Sequence, residues 1–174
     1  ARLATGDPLP GWLTFDPATR TLSGTPGNEN VGAVSIRITA SDGSNASAYD
    51  DFELSVANTN DAPVLASAIS EHSATEDTVF SFTLPENTFA DVDAGDALAY
   101  TATLSSGAAL PAWLSFDAAT RTFSGTPSNP DVGTLSVRVT ATDGGLLGAS
   151  ADFELSVANT NDAPVLASAI SEHS

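Results

Sequence analysis

The sequence predicts an all-β chain of tandem antiparallel sandwiches, and three observations carry that prediction. Leu9-Pro-Gly-Trp-Leu-Thr-Phe-Asp16 returns as Leu110-Pro-Ala-Trp-Leu-Ser-Phe-Asp117, an offset of 110 − 9 = 101 residues. Apolar and polar residues alternate with a period of two, the pattern of strands with one buried face. Clusters of Gly, Pro, Asn and Asp punctuate those runs, and no segment sustains a helical period.

The offset holds without a gap from Ala1/Ala102 to Ser73/Ser174, and Asp51–Ser73 is identical to Asp152–Ser174 over 23 positions. A period near 100 is too long for a solenoid unit and fits whole sandwich domains. In this frame residues 64–164 are a complete repeat. Residues 1–63 are the later part of another, without a counterpart of Val64–Thr101, and residues 165–174 begin a third. A window cut from a longer array is the simplest account. Strand exchange, with a neighbouring chain supplying the early strands, is the other.

Within the complete repeat the strands follow in order. Phe80, Phe82 and Leu84 share one face, and Leu98, Tyr100, Ala102 and Leu104 share another. Leu135, Val137 and Val139 alternate with Ser136, Arg138 and Thr140, and Phe153, Leu155 and Val157 with Asp152, Glu154 and Ser156. Pro85-Glu-Asn, Asp93-Ala-Gly, Pro127-Ser-Asn-Pro and Asp143-Gly-Gly supply the turns. About seven short strands in about 100 residues read as an immunoglobulin-like sandwich. Trp113 and Phe116, with their copies Trp12 and Phe15, are expected in the core rather than on a sugar-stacking platform. His72 and its copy His173 have no second His nearby to share a metal, and are expected at the surface or a strand edge.

Charge narrows the function. Asp and Glu number 22 against 5 Arg and no Lys, a formal net charge of −17. Such a field disfavours nucleic acid and anionic membranes, and suits divalent cations or solubility in salt. No Cys is present, so stiffening beyond packing falls to a metal. No apolar run approaches the roughly 18–20 residues of a membrane span. There is no Gly-x-Ser-x-Gly, no phosphate-cradling Gly loop and no His placed as a base. Near-identical copies suit a repeated mechanical or binding module better than a single catalytic site.

The acids gather in turns: Glu76-Asp77, Asp91-Val-Asp93-Ala-Gly-Asp96, Asp131, Asp143 and the linker Asn58-Thr-Asn60-Asp61-Ala-Pro63. Clustered like charges cost stability unless a cation neutralises them. Calcium does so with 6–8 oxygens drawn from carboxylates, amide carbonyls and backbone. The twelve-residue loop of an EF-hand, closed by Glu, is missing.

These motifs resemble the dystroglycan-type cadherin-like repeats of giant bacterial surface adhesins, over the whole chain. Asn58–Pro63 and its copy Asn159–Pro164 are similar to the cadherin linker Asp-x-Asn-Asp-Asn-x-Pro. Asp91-Val-Asp93 resembles the Asp-x-Asp ligand pair, Ala141-Thr-Asp143 and Ala40-Ser-Asp42 the Ala-x-Asp strand end, and Glu76-Asp77 the early Glu-Asn. The resemblance implies calcium between successive repeats. One junction would use Asn58, Asn60, Asp61, Asp91, Asp93 and Asp143, with Asn28 or Asn30 joining. The next would use Glu76, Asp131, Asn159, Asn161 and Asp162. The linker starts with Asn and is one residue short, and Asn28-Glu-Asn and Asn129-Pro-Asp replace the mid-domain Asp-Arg-Glu. One or two ions per junction are therefore expected, bound at roughly 10⁻⁴–10⁻³ M. The implied role is an extracellular extender, secreted or at the cell surface, that holds a distal binding region away from the cell. Its partners would be calcium and neighbouring repeats. The second reading has the repeats themselves binding carbohydrate or another copy.

Overall fold

The computed structural model describes residues 1–164 and divides into two units, Ala1–Asp61 and Ala62–Ser174. The expected third repeat at 165–174, with His173, lies outside the described residues. Each alternating run has become a strand. In the first unit these are β1 (Arg2–Leu3), β2 (Leu13–Asp16), β3 (Thr21–Gly24), β4 (Gly32–Ser41) and β5 (Ser47–Val56). They form a β1-β4-β5 sheet and a β2-β3 hairpin.

The second unit has β6 (Val64–Leu65), β7 (His72–Thr75), β8 (Phe80–Thr83), β9 (Phe89–Ala90) and β10 (Ala99–Leu104). It continues with β11 (Leu114–Asp117), β12 (Thr122–Gly125), β13 (Gly133–Thr142) and β14 (Gly148–Ala158). One sheet runs β10-β13-β14-β7, the other β11-β12-β8, and β6 pairs with β9. The β13–β14 ladder extends from Gly133↔Val157 to Thr142↔Gly148. β7 joins β14 in parallel, from Leu155↔His72 to Ala158↔Thr75.

The two sheets meet through aromatic rings. Phe153 on β14 lies edge-to-face with Phe123 on β12 and with Phe82 on β8, at centroid separations of 5.6 and 5.9 Å. Phe123, Val137, Val139, Ala141 and Leu155 are fully buried, and Trp113 and Phe116 pack against them as expected of core residues. Arg138 crosses from β13 to Asp152 on β14 as a bidentate pair, with N–O distances of 2.7 and 2.8 Å. Arg37 repeats the arrangement with Asp51 in the first unit.

His72 lies on an edge strand, one of the two positions expected of it, but its ring packs inward against Phe82 and Phe153. The registers Leu155↔His72 and Val157↔Ala74 put it on the inward face of an edge strand. Its ring centroid lies 3.7 Å from that of Phe82, and its Nε2 is buried without a hydrogen-bond partner among the described residues. Burial holds its pKa below the usual histidine value.

The first unit buries far less. Leu13 and Ile36 are its buried hydrophobic residues, while Phe52, the copy of Phe153, is 39% exposed against 4%. Among the described residues, no helix is long and apolar enough to cross a membrane.

Candidate metal centre

The loop from β9 to β10 holds the densest acid cluster. Asp91 accepts the Asp93 N–H at 2.9 Å, an Asx turn that folds the segment back, and the Asp96 N–H reaches the Asp93 carbonyl at 3.2 Å. Gly95 closes the loop at φ +98°, a conformation glycine adopts without strain. One ligand oxygen from each of Asp91, Asp93 and Asp96 lies within 4.8 Å of the others. Two oxygens bound to one calcium at 2.3–2.6 Å are at most about 5 Å apart, so the spacing fits a shared ion.

Asp143 comes from the end of β13. Its Oδ1 accepts the Leu147 N–H at 2.8 Å, and its own N–H donates to the Leu147 carbonyl at 2.9 Å. Asp93 and Asp143 are 5% and 4% exposed, unusual depth for carboxylates in turns. Asp96, which is exposed, has its pKa raised, first by partial loss of hydration and then by the charges of Asp91, Asp93 and Asp143. That repulsion ties the β13 turn to the loop as one negative cluster. The Asp91 Oδ2 is buried and has no hydrogen-bond partner among the described residues. Such an oxygen has the chemistry that a hard cation accepts as a ligand. Asp96 belongs to the loop motif but not to the expected ligand set, and the structure groups it with Asp91 and Asp93.

The opposite end of the same sandwich carries the second expected set. Glu76 follows β7, is 1% exposed, and accepts the Thr160 N–H on Oε1 at 2.5 Å. Its Oε2 is buried without a hydrogen-bond partner among the described residues. The Asn129 amide donates to Asp162, while the Asn159 and Asn161 amides turn to the carbonyls of Thr160 and Asp162. Asp131 caps the 3₁₀ turn Asn129–Asp131. It accepts the Ser128 hydroxyl and N–H at 2.7 and 2.9 Å, contacts that lower its pKa. The structure thus gathers Glu76 with the Asn159–Asp162 segment, and engages Asp131 in the cap.

In the first unit, Asp61 accepts the Asn28 amide at 2.6 Å, the same contact one repeat earlier, and the Asn60 amide donates to the Asp61 carbonyl at 3.3 Å. Asn30 accepts the Gly27 N–H, as Asp131 does that of Ser128. Asn58 is exposed. Asp42 folds its turn as Asp143 does, accepting the Ser44 and Ala46 N–H groups at 2.9 Å each.

The profile of the He_PIG family, described as “Putative Ig domain”, matches residues 1–57 and 62–158. The serine-rich adhesin for platelets of Staphylococcus aureus strain MRSA252 is 30% identical over 135 residues, 78% of this chain and 9% of its own. This chain therefore spans less than a tenth of that relative. Protocadherin gamma B7 extracellular domains 1–4 superpose with a TM-score of 0.62 at 22% identity, over 86% of this chain and 39% of that one. Domains 1–2 of human mucin-like protocadherin give 0.61 at 19% identity, over 87% and 80%. The expected cadherin- and immunoglobulin-like fold is thereby borne out, as is similarity to a bacterial adhesin.

Proposed function

The chain belongs to the He_PIG family of Ig domains, and from that premise we propose that it is an extender segment of a secreted or cell-surface adhesin, stiffened by calcium. The observation that carries the reading is the cluster in which Asp91, Asp93 and Asp143 repel the charge of Asp96, with a buried oxygen on Asp91 that has no hydrogen-bond partner among the described residues. In this proposal calcium neutralises the cluster, with Asn58, Asn60 and Asp61 of the linker adding oxygens. Glu76, Asn159, Asn161 and Asp162 would serve the following repeat in the same way, with Asp131 supporting the turn beside them. Bound ions would remove freedom from each linker, so successive repeats move as one stiff body and a distal binding region stands away from the cell. Similarity to the staphylococcal adhesin supports an adhesive, non-enzymatic setting.

Direct binding of carbohydrate is less well supported, because Trp113 and Phe116 pack against the core instead of forming a surface platform. Small-angle scattering of the chain in millimolar calcium and in chelator tests the extender. The expected outcome is a larger, narrower distribution of maximum dimension with calcium. An unchanged distribution would sink the idea.

A further inference from the structure

A histidine lies against the core of the second unit on its least secured strand. His72 opens β7, the edge strand of the β10-β13-β14-β7 sheet. β7 pairs with β14 over four residues, whereas β13 pairs with β14 over ten. The ring sits 3.7 Å from Phe82 on β8 between centroids, and edge-on to Phe153 on β14 at 5.8 Å. A neutral imidazole fits there, since its buried Nε2 leaves at most one weak polar site unmet among the described residues. An imidazolium does not fit, because it would bring a charge into the same apolar contact.

The neighbouring elements supply no compensating charge. β8 carries no ionisable side chain. On β14, Asp152 and Glu154 alternate to the exposed face, and Asp152 is engaged by Arg138. Glu71, before β7, is exposed, as is Glu86 beyond β8, which pairs with Arg121 at 3.0 Å. Glu76 lies past the far end of β7 and accepts the Thr160 N–H. Burial lowers the His72 pKa, and no carboxylate among the described residues raises it.

We propose that β7 is an acid-released edge strand, in which protonation of His72 drives its ring from Phe82 and Phe153 and lifts the strand off β14. The Glu76 N–H donates to the Ala158 carbonyl at 3.0 Å beside the same ladder, so lifting the strand takes Glu76 with it. Under the calcium reading above, acid would thereby undo the Glu76 end of the sandwich; release of the strand itself does not depend on that reading. The ordinary histidine value of 6.5 belongs to the lifted state and the lowered one to the docked state. Docking is therefore fully favoured above about pH 6.5 and loses that advantage as pH falls from there through the docked-state value. At about pH 5 a free histidine of pKa 6.5 is protonated about thirty to one, so linkage raises the opening constant by up to about thirtyfold.

The test uses the 174-residue chain with His173→Gln, in chelator, so that neither the second histidine nor calcium contributes. The His72 ring signal in NMR should titrate below 6.5. Between about pH 7.5 and about pH 5 the hydrogen-exchange protection factor of the Glu76 amide should fall, by up to about thirtyfold. It should stay below those of β13 amides at both values, because β7 lifts without the rest of the sheet. His72→Phe keeps an aromatic ring against Phe82 and removes the titration, so its Glu76 protection should not fall over that range. A His72 titration at or above 6.5, an equal acid loss in parent and variant, or one common exchange rate for Glu76 and β13 would each overturn the proposal. The titration and the parent's exchange decide the matter even where His72→Phe does not fold.

Discussion

Replacing Asp91 by Asn separates calcium binding from folding of the loop. The Asn Oδ1 can still accept the Asp93 N–H, so the turn keeps its hydrogen bond while the cluster loses one charge and the buried Oδ2. Calcium that binds only the folded unit stabilises it by RT ln(1 + [Ca]/Kd). At 10 mM calcium and a Kd of roughly 10⁻³–10⁻⁴ M this is about 1.4–2.7 kcal/mol. A loss of about tenfold in affinity, modest for a ligand when even supporting groups cost that much, removes about 1.0–1.3 kcal/mol. For a domain of about 100 residues that is a calcium-dependent shift in Tm smaller by about 4–10 °C. The melt is followed by fluorescence in a Trp12→Phe background, which leaves Trp113 as the single reporter of the second unit. Without calcium, Asp91→Asn should melt at or above the parent, because a like charge has gone. Equal calcium shifts in parent and variant would refute the ligand assignment, and no shift in the parent would refute the site.

Three further outcomes follow from the packing and the charges. Phe123→Ala removes a fully buried ring that touches Phe82, Phe116 and Phe153, and should cost about 3–5 kcal/mol in urea unfolding; a loss below about 1 kcal/mol would contradict the core described. Gly125→Ala sets a Cβ 1.8 Å from the Trp113 carbonyl oxygen, forcing β11 from β12, and thermal melts should show a loss of about 3 kcal/mol. Asp96→Asn should raise the Tm of the calcium-free chain at pH 7. The folded state raises the Asp96 pKa, so in the window above the ordinary value of 3.8 it binds more protons than the unfolded state, and the penalty grows as pH rises. Below that value the substitution should have no such effect, and a pH-independent gain would assign it to something other than charge.

Much of the fold was legible because sandwiches write themselves into sequence with period two. Phe153, Leu155 and Val157 are buried on β14 while Asp152, Glu154 and Ser156 face out, as the alternation requires. The 101-residue offset carried the same logic to β4 and β5. The acidic loop was legible too, since Asp91, Asp93 and Gly95 set their own turn locally. What escaped depends on the third dimension. The pairing of Asn28 with Asp61, and of Asn129 with Asp162, spans 33 residues in both repeats, and only the fold brings such positions together. The inward turn of His72 required knowing that β7 lies beside β14. A sequence-only signal did exist for the capping role of Asp131, because Ser128 stands three residues before it and Gly27 precedes Asn30 by the same interval.

The parallel pairing of β7 with β14 also decides how the second unit answers a pull. One strand lies near the start of the sandwich and the other at its end, side by side and pointing the same way. Traction on the two ends therefore drags them in opposite directions along their common axis. The two-residue contact of β6 with β9 would peel first, leaving the β7–β14 ladder to take the load. There the hydrogen bonds from His72 to Thr75, with the Glu76 N–H on the Ala158 carbonyl, are sheared together instead of being unzipped in turn. A module arranged in this way resists stretching along the chain far better than tearing across it.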